Sequence, residues 1–109
     1  MLLLMMDNTI VFIQILNSKK PEKKYVAKFY DESRNMIKQT NFGSKTGVTF
    51  NMHKDEEVKA NWIARHKALN EDWNDFTSPG ALSKHLLWNK PSLSSSFKDY
   101  LRRFNLKKY

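Results

Sequence analysis

The sequence predicts an α+β domain: a small antiparallel sheet of three to four strands followed by three helices. Three observations lead there. In the first half, apolar residues alternate with polar ones at a spacing of two, between clusters of turn-forming residues. From residue 54 onward they recur three and four apart. The two patterns are segregated along the chain, which argues against repeated βαβ units.

Thr9 to Leu16 is rich in Ile, Val and Phe and reads as the first strand. Its apolar residues fall in both alternation classes, so both faces are expected to be covered, as in a central strand or one under a helix. Asn17 to Glu22 is a turn. Lys24 to Tyr30 is the second strand, with Tyr25, Ala27 and Phe29 on one face and Lys28 on the other. Asp31 to Asn35 makes a hairpin connection to a weaker third strand, Met36 to Phe42, with Lys38 on the solvent face. After the loop GSKTG, Val48 to Phe50 is a candidate fourth strand.

The first helix is expected over residues 54–70, with Val58, Trp62, Ile63, His66 and Leu69 facing inward. Asp55, Glu56 and Glu57 suit its first turn, and Arg65 and Lys67 its last. Asn70 to Asp75 is an acidic turn anchored by Trp73. Glu71, Asp72 and Asp75 are placed to pair with Arg65 or Lys67. A second helix over 79–89 has Thr77 or Ser78 as its cap and Pro79 at its first position. Its apolar face is Ala81, Leu82, His85, Leu86 and Trp88, and Pro91 stops it. The third, over 93–105, has Ser92 or a following serine as cap and a stripe of Leu93, Phe97, Tyr100, Leu101 and Phe104. Lys107 to Tyr109 is expected to fray.

One domain accounts for all 109 residues: a tail or edge segment over 1–8, a strand-rich part over 9–50 and a helical part over 54–106. The apolar runs MLLLMM and IVFIQIL fall well short of the roughly 20 residues a membrane span needs, and the start lacks the features of a secretory signal. There is no cysteine, which excludes disulfides and thiolate chemistry and fits a reducing compartment.

The net charge of +8 is uneven: +4 over residues 1–53, −2 over 54–75 and +6 over 76–109. The basic character is concentrated in the last third, which suits a surface that faces a polyanion or, alternatively, a solubilising lysine surface. Lys84, Lys90, Lys98, Arg102 and Arg103 are the candidate contacts there, with Lys107 and Lys108 following. Lys45 joins them from the GSKTG loop, where its side chain and free N–H groups suit a phosphate. That loop is no nucleotide-binding motif, because no glycine precedes Lys45 and an extended segment follows. A helix-turn-helix reading of 79–89 and 93–105 lacks an Asn or Gln pair for base edges, so backbone contact is the economical version. His53, His66 and His85 have no metal-ligand spacing, and no cofactor is expected. The carboxylates suit helix termini and turns better than acid–base work, and the tryptophans suit a core better than base stacking. The protein is expected not to be an enzyme.

The segments KKYVAKFYDE, NFG, HKDEEVKANWIARHKALNEDWND and TSPGALSKHLLWNKPSLSSSFKDYLRRF resemble a family of small basic proteins of unassigned function from large nucleocytoplasmic DNA viruses. The resemblance spans residues 18–106 and is most specific at Gly80 to Ser83 and Leu86 to Pro91, the GALS…LLWNKP pattern. Ser78 and Pro79 stand where relatives often have Thr or Ala with Gly, and His85 where they are often aromatic. The family has no catalytic residues to carry over. The resemblance implies a viral protein of the virion, host cytoplasm or viral factory. Two functions follow as expectations. One is a virion-associated structural or assembly module that binds other virion proteins through its basic surface; the other is binding to the backbone of double-stranded DNA without sequence specificity. Nothing in the sequence sets an oligomeric state.

Overall fold

The computed structural model describes residues 9–109; the expectation for the tail over 1–8 lies outside the described residues. It shows an α+β fold, with a four-stranded sheet and helices following the first three strands. β1 (Phe12–Asn17), β2 (Lys23–Tyr30) and β3 (Met36–Ser44) form the expected antiparallel meander. Ile13 pairs with Phe29, Ile15 with Ala27 and Tyr25 with Phe42, so the alternation collects one apolar face. On it Ile13, Ala27, Phe29 and Phe42 are fully buried. Lys38 is exposed as expected, although in register it pairs with Phe29 on this face, and its Nζ donates to Thr77 Oγ1 at 2.9 Å.

The fourth strand is not at Val48 to Phe50. Thr49 is the extended residue before a single helical turn, α1 (Phe50–His53), which drives Phe50 into the core and leaves Val48 exposed. Among the described residues the outer edge of β3 stays unpaired, and the helical turn satisfies its own backbone groups while burying Phe50. The sheet instead gains β4 (Lys107–Lys108), parallel to β1, in the order β3-β2-β1-β4. The sheet is therefore mixed, and the expected frayed tail is pinned. Asn105 turns the chain in the left-handed conformation, Leu106 is buried, and Tyr109 stacks on Tyr30 at 3.7 Å between ring centroids.

α2 (Glu56–Ala68) starts at Asp55, whose carboxylate accepts from the N–H groups of Glu57 and Val58. Of its expected inward face only Trp62 is buried, stacked on Trp88 at 5.0 Å, while Val58 and Leu69 are exposed. The helix rests on the core by one ring and its neighbouring turn rather than along a stripe. The acidic turn after it also differs: among the described residues no ion pair joins Glu71, Asp72 or Asp75 to Arg65 or Lys67. Asp72 and Asp75 accept backbone N–H groups of Asn74 and Thr77, holding the turn together.

The expected helix over 79–89 is two pieces. α3 (Pro79–Leu82) is capped by Ser78, whose hydroxyl accepts from Ala81 N–H at 3.1 Å. The chain then widens into a π-helical turn, Ser83–Leu87, closed by Trp88 N–H donating to Ser83 O at 3.1 Å. His85, Leu86, Leu87 and Trp88 are all buried. Four consecutive buried side chains do not fit one face of an α-helix; here the element lies between the sheet and α4 (Leu93–Phe104) and buries residues on opposite sides. α4 matches its expectation, with Ser92 accepting from Ser95 N–H at 3.1 Å and its stripe packed on the core.

Candidate functional site

Three lysines from three elements meet at one cleft of about 660 Å³. Lys24 comes from β2, Lys45 from the turn after β3, and Lys54 from the residue ending α1. The antiparallel register brings the first two together: Lys45 N–H donates to Glu22 O at 3.0 Å, and Lys24 Nζ donates to Lys45 O at 3.3 Å. Lys54 reaches the same rim because it ends α1 in the left-handed conformation, its N–H bonded to Phe50 O at 2.7 Å. Asn51 is anchored from behind, donating from Nδ2 to Leu86 O at 2.7 Å. Ser92 and Leu93 bring the amino-terminal end of α4 to the opposite wall. Among the described residues no Asp or Glu lines the cleft, and α4 carries no acid in its first turn. A rim that carries three lysines and no carboxylate gives a positive potential that favours an anion.

A second cationic group surrounds Asp99 on α4. Arg102 Nη2 is 2.7 Å from Asp99 Oδ1, Arg103 is 3.6 Å from Oδ2, and Asn89 Nδ2 donates to Oδ2 at 2.8 Å. The Asn89 hydrogen bond, followed by Arg102 and Arg103, holds the Asp99 carboxyl below the usual range against the opposing effect of burial. Lys84 lies nearby with its Nζ 5.0 Å from the Trp73 ring centre. Its pKa is lowered, first by burial and then by the cations Arg103 and Lys59. Lys59 itself donates to Asn89 O at 2.7 Å. These cations gather around a buried carboxylate, which the lysines of the cleft do not.

The residues expected from the sequence are therefore split. Lys84, Arg102 and Arg103 share the Asp99 region, and Lys45 belongs to the cleft. Lys90 is exposed in the turn before α4, and Lys98 is exposed in the middle of α4. Lys107 and Lys108 are exposed on β4. Sequence reasoning missed Lys24, Lys54, Lys59 and Asp99. Lys24 could have been found by aligning the two strands of the hairpin, which sets it beside Lys45; nothing local marks Lys54. His85 is a buried ring whose Nε2 contacts Trp73 O at 3.3 Å; burial, then Lys84, pushes its pKa down to about 4. Among the described residues no group of three His, Asp or Glu side chains could hold a metal ion.

Residues 13–66 match the model of a family of unknown function, DUF5754. The match runs from β1 to α2, so it contains all three cleft lysines and stops short of the GALS…LLWNKP segment and α4. No curated protein and no solved structure matches the chain.

Proposed function

We propose that this is a non-enzymatic viral binding module that engages the phosphate backbone of nucleic acid through its cationic cleft, without reading bases. The observation that carries the reading is the convergence of Lys24, Lys45 and Lys54 on one cleft without a carboxylate. Backbone N–H groups at the start of α4 add a positive dipole on the facing wall. Phosphate contacts of this kind position a protein on a duplex and carry no sequence information. Among the described residues no helix is long and apolar enough to cross a membrane.

A second reading uses the other cationic region and a different partner: a virion-associated assembly module docking on an acidic protein face. The Asp99 region favours it, since Arg102 and Arg103 are held in place by their own carboxylate and offer fixed donors to a protein surface.

Titration of labelled double-stranded DNA at ~50 and ~200 mM salt separates the two. Under the first reading binding weakens steeply with salt. Replacing Lys24, Lys45 and Lys54 by Ala then makes the log–log salt slope shallower by roughly two to three, about one for each phosphate no longer neutralised. The same slope in the triple variant would remove the cleft from the interface. No binding at the lower salt would leave the acidic-protein reading standing.

A further inference from the structure

β4 covers only part of the β1 edge. The N–H groups of Lys107 and Tyr109 donate to Val11 O and Ile13 O at 2.9 and 3.0 Å. Ile13 of β1 thus faces that edge and Ile15 and Asn17 follow by alternation, whereas Val11, before β1, donates its own N–H to Tyr30 O on the β2 side at 2.8 Å. Even-numbered residues of β1 face β2, a pattern that Ser18 N–H to Lys24 O continues. Ile15 and Asn17 accordingly turn their N–H and C=O groups to an edge with no further strand among the described residues. Alongside runs a groove of about 750 Å³ whose walls include Ile15 and Tyr25 from the sheet and Leu93 and Phe97 from α4. An unpaired strand edge beside an apolar groove is the arrangement that strand addition uses: the edge supplies backbone hydrogen bonds and the groove takes alternate side chains.

One stretch of this protein has the complementary chemistry. Met1–Met6, MLLLMM, is uncharged and wholly apolar, and flexible Met side chains fill irregular grooves well. Asp7 follows it, and Lys108 stands at the groove. We propose that Met1–Met6 of a second copy adds to the Ile15–Asn17 edge and fills the groove, reciprocally, so that the protein self-associates by exchanging amino-terminal strands. Reach selects the second copy. Thr9 lies six residues before Ile15, a separation of roughly 20 Å along a strand. The eight residues preceding Thr9 span at most ~27 Å when extended. β4 occupies the edge in between, so a segment reaching its own groove must detour around it and delivers only its first residue or two. A second copy has no such limit.

The consequence for salt is opposite to that for nucleic acid. Two domains of charge +8 repel, so added salt strengthens an association driven by apolar burial. The test is sedimentation of the full chain at low and high salt, beside a variant lacking Met1–Met6 and an Asn17→Pro variant. The proline removes an outward N–H and leaves the β1–β2 ladder intact. Amide exchange at Ile15 is followed in all three. The expected result is a dimer that tightens with salt, is lost in both variants, and protects the Ile15 amide only while it exists. A monomeric full chain, or association that survives the deletion, overturns the proposal. So does a monomer whose Ile15 amide is protected only when Met1–Met6 is present, since its own segment would then fill the groove.

Discussion

His85 and Asp99 are both buried, and they respond to acid in different windows. The pKa of His85 falls to about 4 in the fold, from about 6.5 when unfolded. Between those values the unfolded chain binds the extra proton, so stability rises with pH there and is lost as pH drops from 6.5 towards 4. Above 6.5 the group contributes no pH dependence. The loss approaches about 3 kcal/mol at the acid end, and denaturant titrations at pH 7 and pH 4.5 measure it. His85→Phe, which keeps a ring against Phe104, should flatten this window. Asp99 shifts in the same direction for the opposite reason: its charged form is stabilised by Asn89, Arg102 and Arg103, and that contribution disappears only as pH falls through its lowered pKa. Asp99→Ala leaves Asn89 without its acceptor and Arg102 and Arg103 without their partner. It should cost about 1–3 kcal/mol at neutral pH by the same titration.

At the scale of elements, caps and alternation were readable in the sequence. Ser78, Pro79, Pro91 and Ser92 mark boundaries by local chemistry, and the structure places them where that chemistry requires. Ser92→Ala should cost about 1 kcal/mol, read as a fall in thermal midpoint, because one amide at the start of α4 loses its acceptor. The meander was legible for a similar reason, since a period of two and short turns specify neighbouring strands. The π-helical turn was not. Its four consecutive buried residues read as a helix face with one residue too many, and only the sheet on one side and α4 on the other make that arrangement favourable. α2 erred the other way: Val58 and Leu69 kept a helical period without a partner to cover them. The cleft was half legible. Lys45 stood out in a glycine-flanked loop, but Lys24 and Lys54 enter only through strand register and a left-handed residue. Gly43 is another such position, with φ of 79° and Leu87 Cδ1 only 2.9 Å from where a Cβ would sit. Gly43→Ala should destabilise by more than about 1 kcal/mol, combining backbone strain with displacement of a core leucine.

At the scale of the whole molecule, the charge that suits a polyanion and the apolar edge that suits a second copy lie on different parts of the surface, and both meet near Asn17. The fourth strand has a further consequence, in time rather than in space. β4 pairs Lys107 with Phe12, joining residues separated by nearly the entire sequence. The hairpins of the meander close short loops and need only the first part of the chain, whereas this parallel pair closes the longest loop in the sheet and gains only two rungs. During synthesis the meander can therefore form while the carboxyl-terminal residues are still being made. The β1 edge then stays open until Leu106 drops into the core and draws Lys107 to Tyr109 against it. That stretch of the β1 edge is therefore the last part of the sheet to close.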